Sequence, residues 1–292
     1  MPDTTANGVR LFCTLTSNAG LPLVLIHGSW TDHSDWDLVA PIFAEHFRLL
    51  TYDRRGHSQS ERIPGQGSVN EDAADLEALL EDLGLVPAHI VGLSFGGSIA
   101  LRLATRRPDL FRSLSVHEPP LFDLLAGDPD QGPAMREVMS RLQPVAALLK
   151  AGEVEEGARQ LIETIALGPG AWEHLPPHVR QLLASNAPTF LDEMGDPQAL
   201  TVDLAALAAF SRPVQLTGGD QSPAWFAPIV AKLSTVLPCA ETRVFTGAGH
   251  LPMVTHPAEY AAAIIAFVGA VGDDLSTRSP VETGQLVQSS NV

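Results

Sequence analysis

The sequence contains little cysteine, little positive charge and no long apolar run. Only Cys13 and Cys239 occur among its 292 residues, which excludes a disulfide framework and a zinc site built on clustered cysteines. Lys and Arg total 18 against 34 Asp and Glu, so the formal charge of −16 repels phosphate backbones and anionic lipid surfaces. We therefore expect neither a nucleic acid nor a membrane as a partner.

The two ends of the sequence also lack targeting features. Residues 1–10 do not show the basic start and apolar run of a secretory signal. The longest apolar stretch, residues 260–271, is shorter than the roughly 20 residues that cross a bilayer, so it predicts a buried helix. We expect a cytoplasmic protein. Residues 273–292 are polar and lack periodicity, which predicts a flexible tail.

Apolar runs alternate with helical patterns in the first part of the chain. Strands are predicted at 21–26, 47–53, 89–93 and 112–117, and the first of them is a continuous apolar run, as expected of a strand buried on both faces. A capping box of Ser68 and Glu71 opens a helix that Gly84 ends, and a second helix follows from 95 to about 105. Such alternation predicts an α/β fold with a mostly parallel sheet.

This alternation stops near residue 118 and resumes at 212–217, with a further strand at 241–246 and a final helix opened by Pro257. The segment between has helical periodicity but no convincing strand. We therefore predict a core domain of residues 1–118 and 211–272, and a helical cap of residues 119–210 inserted into it. The chain is at the upper size limit of one hydrophobic core, which agrees with one large domain that carries an insertion.

The pattern Gly92-Leu-Ser94-Phe-Gly96 lies between a predicted strand and a predicted helix. In that setting G-x-S-x-G predicts a nucleophile elbow, a turn so sharp that a Cβ at either glycine would clash. The Ser94 hydroxyl would stand above the sheet at a helix N-terminus, where the partial positive charge favours a developing anion.

A serine hydroxyl needs a base, and a base needs an orienting acid. His250, in a glycine-containing loop after a predicted strand, is the candidate base. Asp220 and Glu118 both follow strand ends and are the candidate acids. We favour Asp220, because its flanking glycines and its place between Ser94 and His250 match the order of serine hydrolases with such an elbow.

Together these motifs resemble the α/β-hydrolase superfamily, and within it the capped serine esterases, lactonases and C–C hydrolases. The resemblance spans about residues 20–270 and rests on five segments in order: His27-Gly-Ser-Trp30, Tyr52-Asp-Arg-Arg-Gly-His-Ser58, Gly92–Gly97, Thr217–Asp220 and Gly247–His250. It implies a mostly parallel central sheet flanked by helices, with a helical cap inserted after the sixth strand. It also implies an oxyanion hole formed by the backbone N–H groups of Ser29 and Phe95.

Several apolar side chains could line a substrate pocket beneath the cap. The candidates are Trp30, Phe122, Met135, Met139, Trp172 and Leu251. His174 and His178 have metal-like spacing, but the two intervening prolines prevent the helical face that such ligands need. We expect no metal and no other cofactor.

The combined expectation is a serine hydrolase that cleaves a carboxylic ester or lactone of a small, mostly apolar molecule through an acyl-enzyme. Hydrolysis of a C–C bond in a vinylogous diketone by the same residues is the alternative. A perhydrolase and a slow-turnover ligand receptor on the same fold are further alternatives, and a homodimer is left open. Fold alone does not select among these chemistries.

Overall fold

A single eight-stranded sheet organises the chain in this computed structural model, which describes residues 3–16 and 19–277. The strands lie in the order β1-β2-β4-β3-β5-β6-β7-β8. Their bounds are β1 Asp3–Ala6, β2 Val9–Leu15, β3 Pro22–Ile26, β4 Arg48–Tyr52, β5 Ala88–Leu93, β6 Phe111–His117, β7 Val214–Gly219 and β8 Ala240–Phe245. From β4 to β8 every neighbouring pair is parallel, which confirms the α/β prediction.

The first two strands are antiparallel and were not anticipated. β1 pairs with β2, and β2 continues the sheet by pairing with β4. Along β2 the side chains of Val9, Leu11 and Cys13 are buried, whereas Arg10 and Thr14 are exposed and Phe12 is half-buried. That alternation with a period of two is typical of a strand with one face on the core.

Helices cover both faces of the sheet. The α-helices of the described residues are α1 Ala40–Ala44, α2 Val69–Asp82, α3 Phe95–Ala104, α4 Gly132–Lys150, α5 Val154–Leu161, α6 Ala171–His174, α7 Pro177–Asn186, α8 Thr189–Gly195, α9 Leu204–Ala208, α10 Phe226–Val236, α11 Pro252–Thr255 and α12 Pro257–Thr277. One buried apolar cluster joins the sheet to α2, α3 and α10, and a second joins its other face to α1 and α12. The predicted capping box is formed, since the Glu71 carboxylate accepts from the Ser68 amide at 3.0 Å and the Glu71 amide donates to the Ser68 hydroxyl.

Helices α4 to α9 all lie between β6 and β7, so the predicted helical cap follows the sixth strand. No strand occurs between residues 118 and 213, a segment that the structure describes throughout. The stretch 186–201 is joined to the sheet domain by several hydrogen bonds. Asn186 accepts from the Ser58 amide at 2.8 Å, and Asp196 accepts from the Val69 amide at 2.9 Å.

The C-terminal end differs from the prediction of a tail that starts at residue 273. Helix α12 continues to Thr277, and the rest of the predicted tail, residues 278–292, lies outside the described residues. Among the helices described, none combines the length and apolar character that crossing a bilayer requires.

The carboxyl ends of the parallel strands meet at one edge of the sheet. His27 and Gly28 follow β3, Ser94 follows β5 and Glu118 follows β6. β5 lies between β3 and β6, so Ser94 is flanked by both of the other loops. This edge is where ligands bind in open α/β sheets.

Candidate active site

Ser94 occupies the sharp turn between β5 and α3. Its backbone has φ 51° and ψ −120°, in the left-handed half of conformational space that residues with a Cβ rarely adopt. The Ser94 amide donates to the His117 carbonyl at 2.8 Å, which ties the turn to the end of β6. The structure therefore has the geometry that the elbow motif predicts.

The two glycines of the motif are required by contact with main-chain atoms. A Cβ on Gly92 would lie 2.5 Å from the Gly96 carbonyl oxygen, and a Cβ on Gly96 would lie 2.3 Å from the Ile26 carbonyl oxygen. Both distances are far inside van der Waals contact, and backbone atoms cannot rotate away. The turn can therefore form only with glycine at these positions.

The carboxylate that faces His250 is that of Glu118. His250 Nδ1 lies 2.7 Å from Glu118 Oε2, and the Gly219 amide donates to Glu118 Oε1 at 2.8 Å. Glu118 is 1% exposed and has φ 45°, so it is held in a strained backbone conformation directly after its strand. Burial alone would raise the pKa of the Glu118 carboxyl, but two imidazoles outweigh it and hold that pKa well below its ordinary value: His117, whose Nε2 lies 3.5 Å from Oε2, and the hydrogen-bonded His250.

The imidazole of His250 is held on two sides. Its ring stacks on the Phe226 ring with centroids 4.6 Å apart and planes at 10°. The side chain is 20% exposed, so solvent reaches the ring although its Nδ1 edge faces a buried carboxylate. Because Nδ1 is engaged by Glu118, Nε2 is the ring nitrogen left to exchange a proton with a reacting group.

Asp220 lies elsewhere, so the predicted pairing of Asp220 with His250 is corrected. Its Oδ1 accepts from the Gly247 amide at 2.7 Å, and the side chain is exposed. The carboxylate therefore fixes the start of the loop that carries His250 without contacting the ring. Glu118, the alternative, also lies between Ser94 and His250 in sequence, so the order of residues did not distinguish the two acids.

The loop after β3 lies against Ser94, as an oxyanion-hole loop must. A Cβ on Gly28 would be 3.3 Å from the Ser94 Cβ. Within the described part of the chain, neither the Ser29 amide nor the Phe95 amide donates to a protein acceptor. Phe95 is the first residue of α3, so its N–H is one of the free donors at a helix N-terminus. The two amides predicted as oxyanion donors thus lie beside Ser94, one on the loop after β3 and the other at the first residue of α3.

Arg54 and Glu193 are two buried residues near this site that the sequence reasoning did not assign. Arg54 Nη2 lies 2.8 Å from Asp72 Oδ2 and 2.9 Å from Glu193 Oε1. The Ser29 hydroxyl donates to the other oxygen of Glu193 at 2.6 Å. An unusual pair of adjacent arginines before a glycine turn was the only sequence signal for this network.

The predicted substrate-contacting residues are mostly packed into the core. Four of the six are buried in one apolar cluster, namely Trp30, Phe122, Met135 and Trp172. The other two, Met139 and Leu251, are partly buried. Trp30 packs against the cap residue Phe190 with ring centroids 5.1 Å apart. Which of them touch a ligand stays a prediction.

Within the residues that the structure describes, two groups of side chains bring enough donor atoms together to hold a cation. They are His117-Glu118-His250 and Asp32-His33-Asp53, with donor atoms within 4.8 Å of one another in each group. In the second group the carboxylates already accept hydrogen bonds, for example from the Ser34 amide at 2.9 Å and the Gln59 amide at 3.0 Å. In the first group His250 Nδ1 faces Glu118 Oε2 at 2.7 Å, and the buried Nε2 of His117 has no hydrogen-bond partner among the described residues.

Comparison with known proteins gives partial matches in sequence and nearly complete ones in structure. 2-Hydroxymuconate semialdehyde hydrolase of Pseudomonas sp. (strain CF600) is 42% identical over 103 residues, covering 34% of this chain and 36% of that protein. A bifunctional esterase/perhydrolase of Acinetobacter calcoaceticus is 32% identical over 145 residues, covering 48% of this chain and 52% of that protein. The chain thus matches at most about half the length of either relative.

The solved structure of an enol-lactonase from Burkholderia xenovorans LB400 superposes with a TM-score of 0.74 at 17% identity, covering 92% of this chain and 100% of that one. A thermophilic esterase from Thermogutta terrifontis gives a TM-score of 0.73 at 23% identity, covering 92% and 98%. At such identities the likeness shows the fold alone. The profile of the alpha/beta hydrolase family matches residues 23–263, which include the loops that carry Ser94, Glu118 and His250. This chain therefore belongs to the alpha/beta hydrolase family.

Proposed function

We propose that this protein is a serine hydrolase that cleaves a carboxylic ester or lactone of a small, mostly apolar molecule. The observation that carries the proposal is the hydrogen bond between His250 Nδ1 and the buried carboxylate of Glu118, at the same sheet edge as the strained Ser94 elbow. A nucleophile, a base and an oriented acid on neighbouring loops are the parts that acyl transfer needs.

Ser94 Oγ attacks the acyl carbonyl carbon while His250 Nε2 takes its proton. Glu118 holds the proton on Nδ1, so that Nε2 is the basic nitrogen, and it stabilises the imidazolium that forms. The oxygen of the tetrahedral intermediate accepts from the amides of Ser29 and Phe95. The C–O bond to the leaving alkoxide then breaks, and the alkoxide takes the proton from His250. A water then attacks the acyl carbonyl carbon while His250 Nε2 takes its proton. The bond from Ser94 Oγ to the acyl carbon breaks, Oγ takes the proton back from His250, and the acid is released.

The apolar packing around the cap supports a small, mostly apolar acyl or alcohol group. Trp30 directly follows the loop of Ser29, and the cap residue Phe190 covers it. Phe226 forms an apolar wall on one face of His250. Charged groups near the site, Glu118 and Glu193, are buried and already paired, which leaves them unsuited to bind a charged substrate.

A panel of aryl and alkyl esters with acyl chains of increasing length, together with lactones, tests the proposal. Turnover by the full chain and its loss in Ser94→Ala are expected, since no other hydroxyl lies on the elbow. A Ser98→Ala variant serves as a control, because Ser98 lies buried one helical turn along α3 and away from the turn itself. Undiminished turnover in Ser94→Ala would overturn the proposal.

Hydrolysis of a C–C bond is the second candidate function. It is favoured by the 42% identity over 103 residues with a 2-hydroxymuconate semialdehyde hydrolase. Vinylogous diketones offered beside the ester panel separate the two candidates. Faster turnover of the diketones, measured as kcat/KM, would assign the C–C reaction, whereas faster turnover of esters or lactones would assign the acyl transfer.

A further inference from the structure

One buried arginine touches both loops of the candidate oxyanion hole. Arg54 Nη1 donates to the Gly28 carbonyl oxygen at 3.0 Å. Its guanidinium carbon lies 4.6 Å from the centroid of the Phe95 ring. Arg54 is 1% exposed, so both contacts are made away from water, where polar interactions are stronger.

The contact with Gly28 fixes the direction of a neighbouring amide. His27 Nε2 accepts from the Arg54 amide at 2.9 Å, so the neutral ring carries its proton on Nδ1 and donates it to the same Gly28 oxygen at 2.9 Å. The carbonyl of Gly28 and the N–H of Ser29 belong to one planar peptide unit and point in opposite directions. Two donors on the oxygen therefore hold the Ser29 N–H in one orientation and polarise it as a donor.

The cap completes this arrangement through Glu193 of α8. One carboxylate oxygen of Glu193 accepts from Arg54 and the other accepts from the Ser29 hydroxyl. Asp72 of α2 accepts two hydrogen bonds from the Nε–Nη2 edge of the guanidinium, at 3.3 and 2.8 Å. The cap helix thus contacts the oxyanion loop directly, and contacts it again through the arginine.

We propose that Arg54 and Glu193 are positioning residues that orient the Ser29 amide for the oxyanion, so that the cap helix α8 is a fixed part of the catalytic geometry. The inference rests on the proposed function of Ser94 and on the predicted role of the Ser29 amide. Neither residue touches the substrate. Their effect passes through the Gly28–Ser29 peptide.

Arg55 provides a matched control for Arg54. It is buried in the same turn and pairs with Asp75 of α2 through two hydrogen bonds, at 2.7 and 2.6 Å, but its bonds are made to Asp75 and Gln66 and not to the oxyanion loops. Arg54→Lys and Arg55→Lys each replace a forked donor by a single ammonium and lose a bidentate ion pair. Their effects on folding are therefore comparable, and their effects on the Ser29 amide are not.

The test measures the inhibition constant of a small alkylboronic acid, which forms a tetrahedral anion on a reactive serine. The enzyme concentration in each assay is set by titration of the active sites. Arg54→Lys is expected to lower the affinity for the boronate by about tenfold to a hundredfold, while KM for a small ester changes little. The loss is smaller than that for removal of an oxyanion donor, because the Ser29 amide is misdirected and not lost. Arg55→Lys is expected to change boronate affinity by less than about threefold. Equal losses in the two variants would overturn the proposal.

A second pair of variants tests the cap residue and stays informative if Arg54→Lys does not fold. Glu193→Ala removes both acceptors and is expected to lower the affinity for the boronate. Glu193→Gln retains a partner for Arg54 and for Ser29 and is expected to restore that affinity. Asp196→Ala, which breaks a cap contact to the Val69 amide instead, is the control. A Glu193→Ala variant that behaves like Asp196→Ala would overturn the role of the cap.

Failure of the proposed function itself is distinguished by the unmodified protein, which would then not bind the boronate at all.

Discussion

Exchange of the Glu118 carboxylate for an amide is expected to disable His250 through its tautomer. In Glu118→Gln the amide oxygen is retained by the Gly219 amide, which donates to Oε1 at 2.8 Å. The side-chain NH2 then faces His250 Nδ1, where the carboxylate oxygen lay at 2.7 Å. An NH2 group donates, so Nδ1 must accept and the ring proton moves to Nε2. A ring protonated at Nε2 cannot take the proton of Ser94.

The expected loss in kcat is about four orders of magnitude, which is the cost of holding a catalytic histidine in the wrong tautomer. The assay is steady-state turnover of a small aryl ester by the full chain, divided by the active-site concentration from a burst titration. Asp220→Asn is the matched control. It keeps a carbonyl oxygen for the Gly247 amide and is expected to change kcat by less than about threefold. A larger loss in Asp220→Asn than in Glu118→Gln would refute the assignment of the acid.

Three further predictions concern stability and orientation. Gly96→Ala is expected to lower the unfolding free energy by at least about 3 kcal/mol, because its Cβ meets a main-chain oxygen. Gly195→Ala is the control, since a Cβ there meets nothing within 4 Å, and it is expected to leave the denaturant midpoint nearly unchanged. The pKa of Glu118 is lowered in the folded protein, so its ionisation stabilises the fold above the ordinary pKa and this contribution is lost as pH falls. The difference in unfolding free energy between the unmodified protein and Glu118→Gln should therefore be full above about pH 5 and shrink below it, and a difference that grows towards low pH would contradict this. Phe226→Ala removes the ring stacked on His250 and is expected to lower kcat about tenfold with little change in KM; an unchanged kcat would show that the stack does not position the ring.

The parallel part of the fold was predictable because burial on both faces leaves a direct trace in the sequence. β3 is a continuous apolar run and every residue of β5 is buried, and the capping box of α2 is a local pattern read within four residues. The pair β1 and β2 was missed because Asp3–Ala6 is polar and β2 has only one buried face. Its alternation was present but weaker than the apolar runs elsewhere.

The turn that carries Ser94 was predictable for a similar reason, since the steric demand of the elbow is met by glycines two residues to either side of Ser94. The carboxylate that faces His250 was not, because its identity depends on where two strand ends lie in space. Glu118 ends β6, which lies next to β5, while Asp220 ends β7, one strand further away. Glu193 was unpredictable in the same way, as it reaches Ser29 across 164 residues of sequence.

The most direct test of the central claim, that Ser94, His250 and Glu118 act as one unit, is mass spectrometry of the protein after reaction with a fluorophosphonate. The account predicts a single adduct on the peptide that contains Ser94, none in Ser94→Ala, and labelling slowed by at least about a thousandfold in His250→Ala. An adduct that persists in Ser94→Ala, or a labelling rate that His250→Ala leaves unchanged, would contradict it.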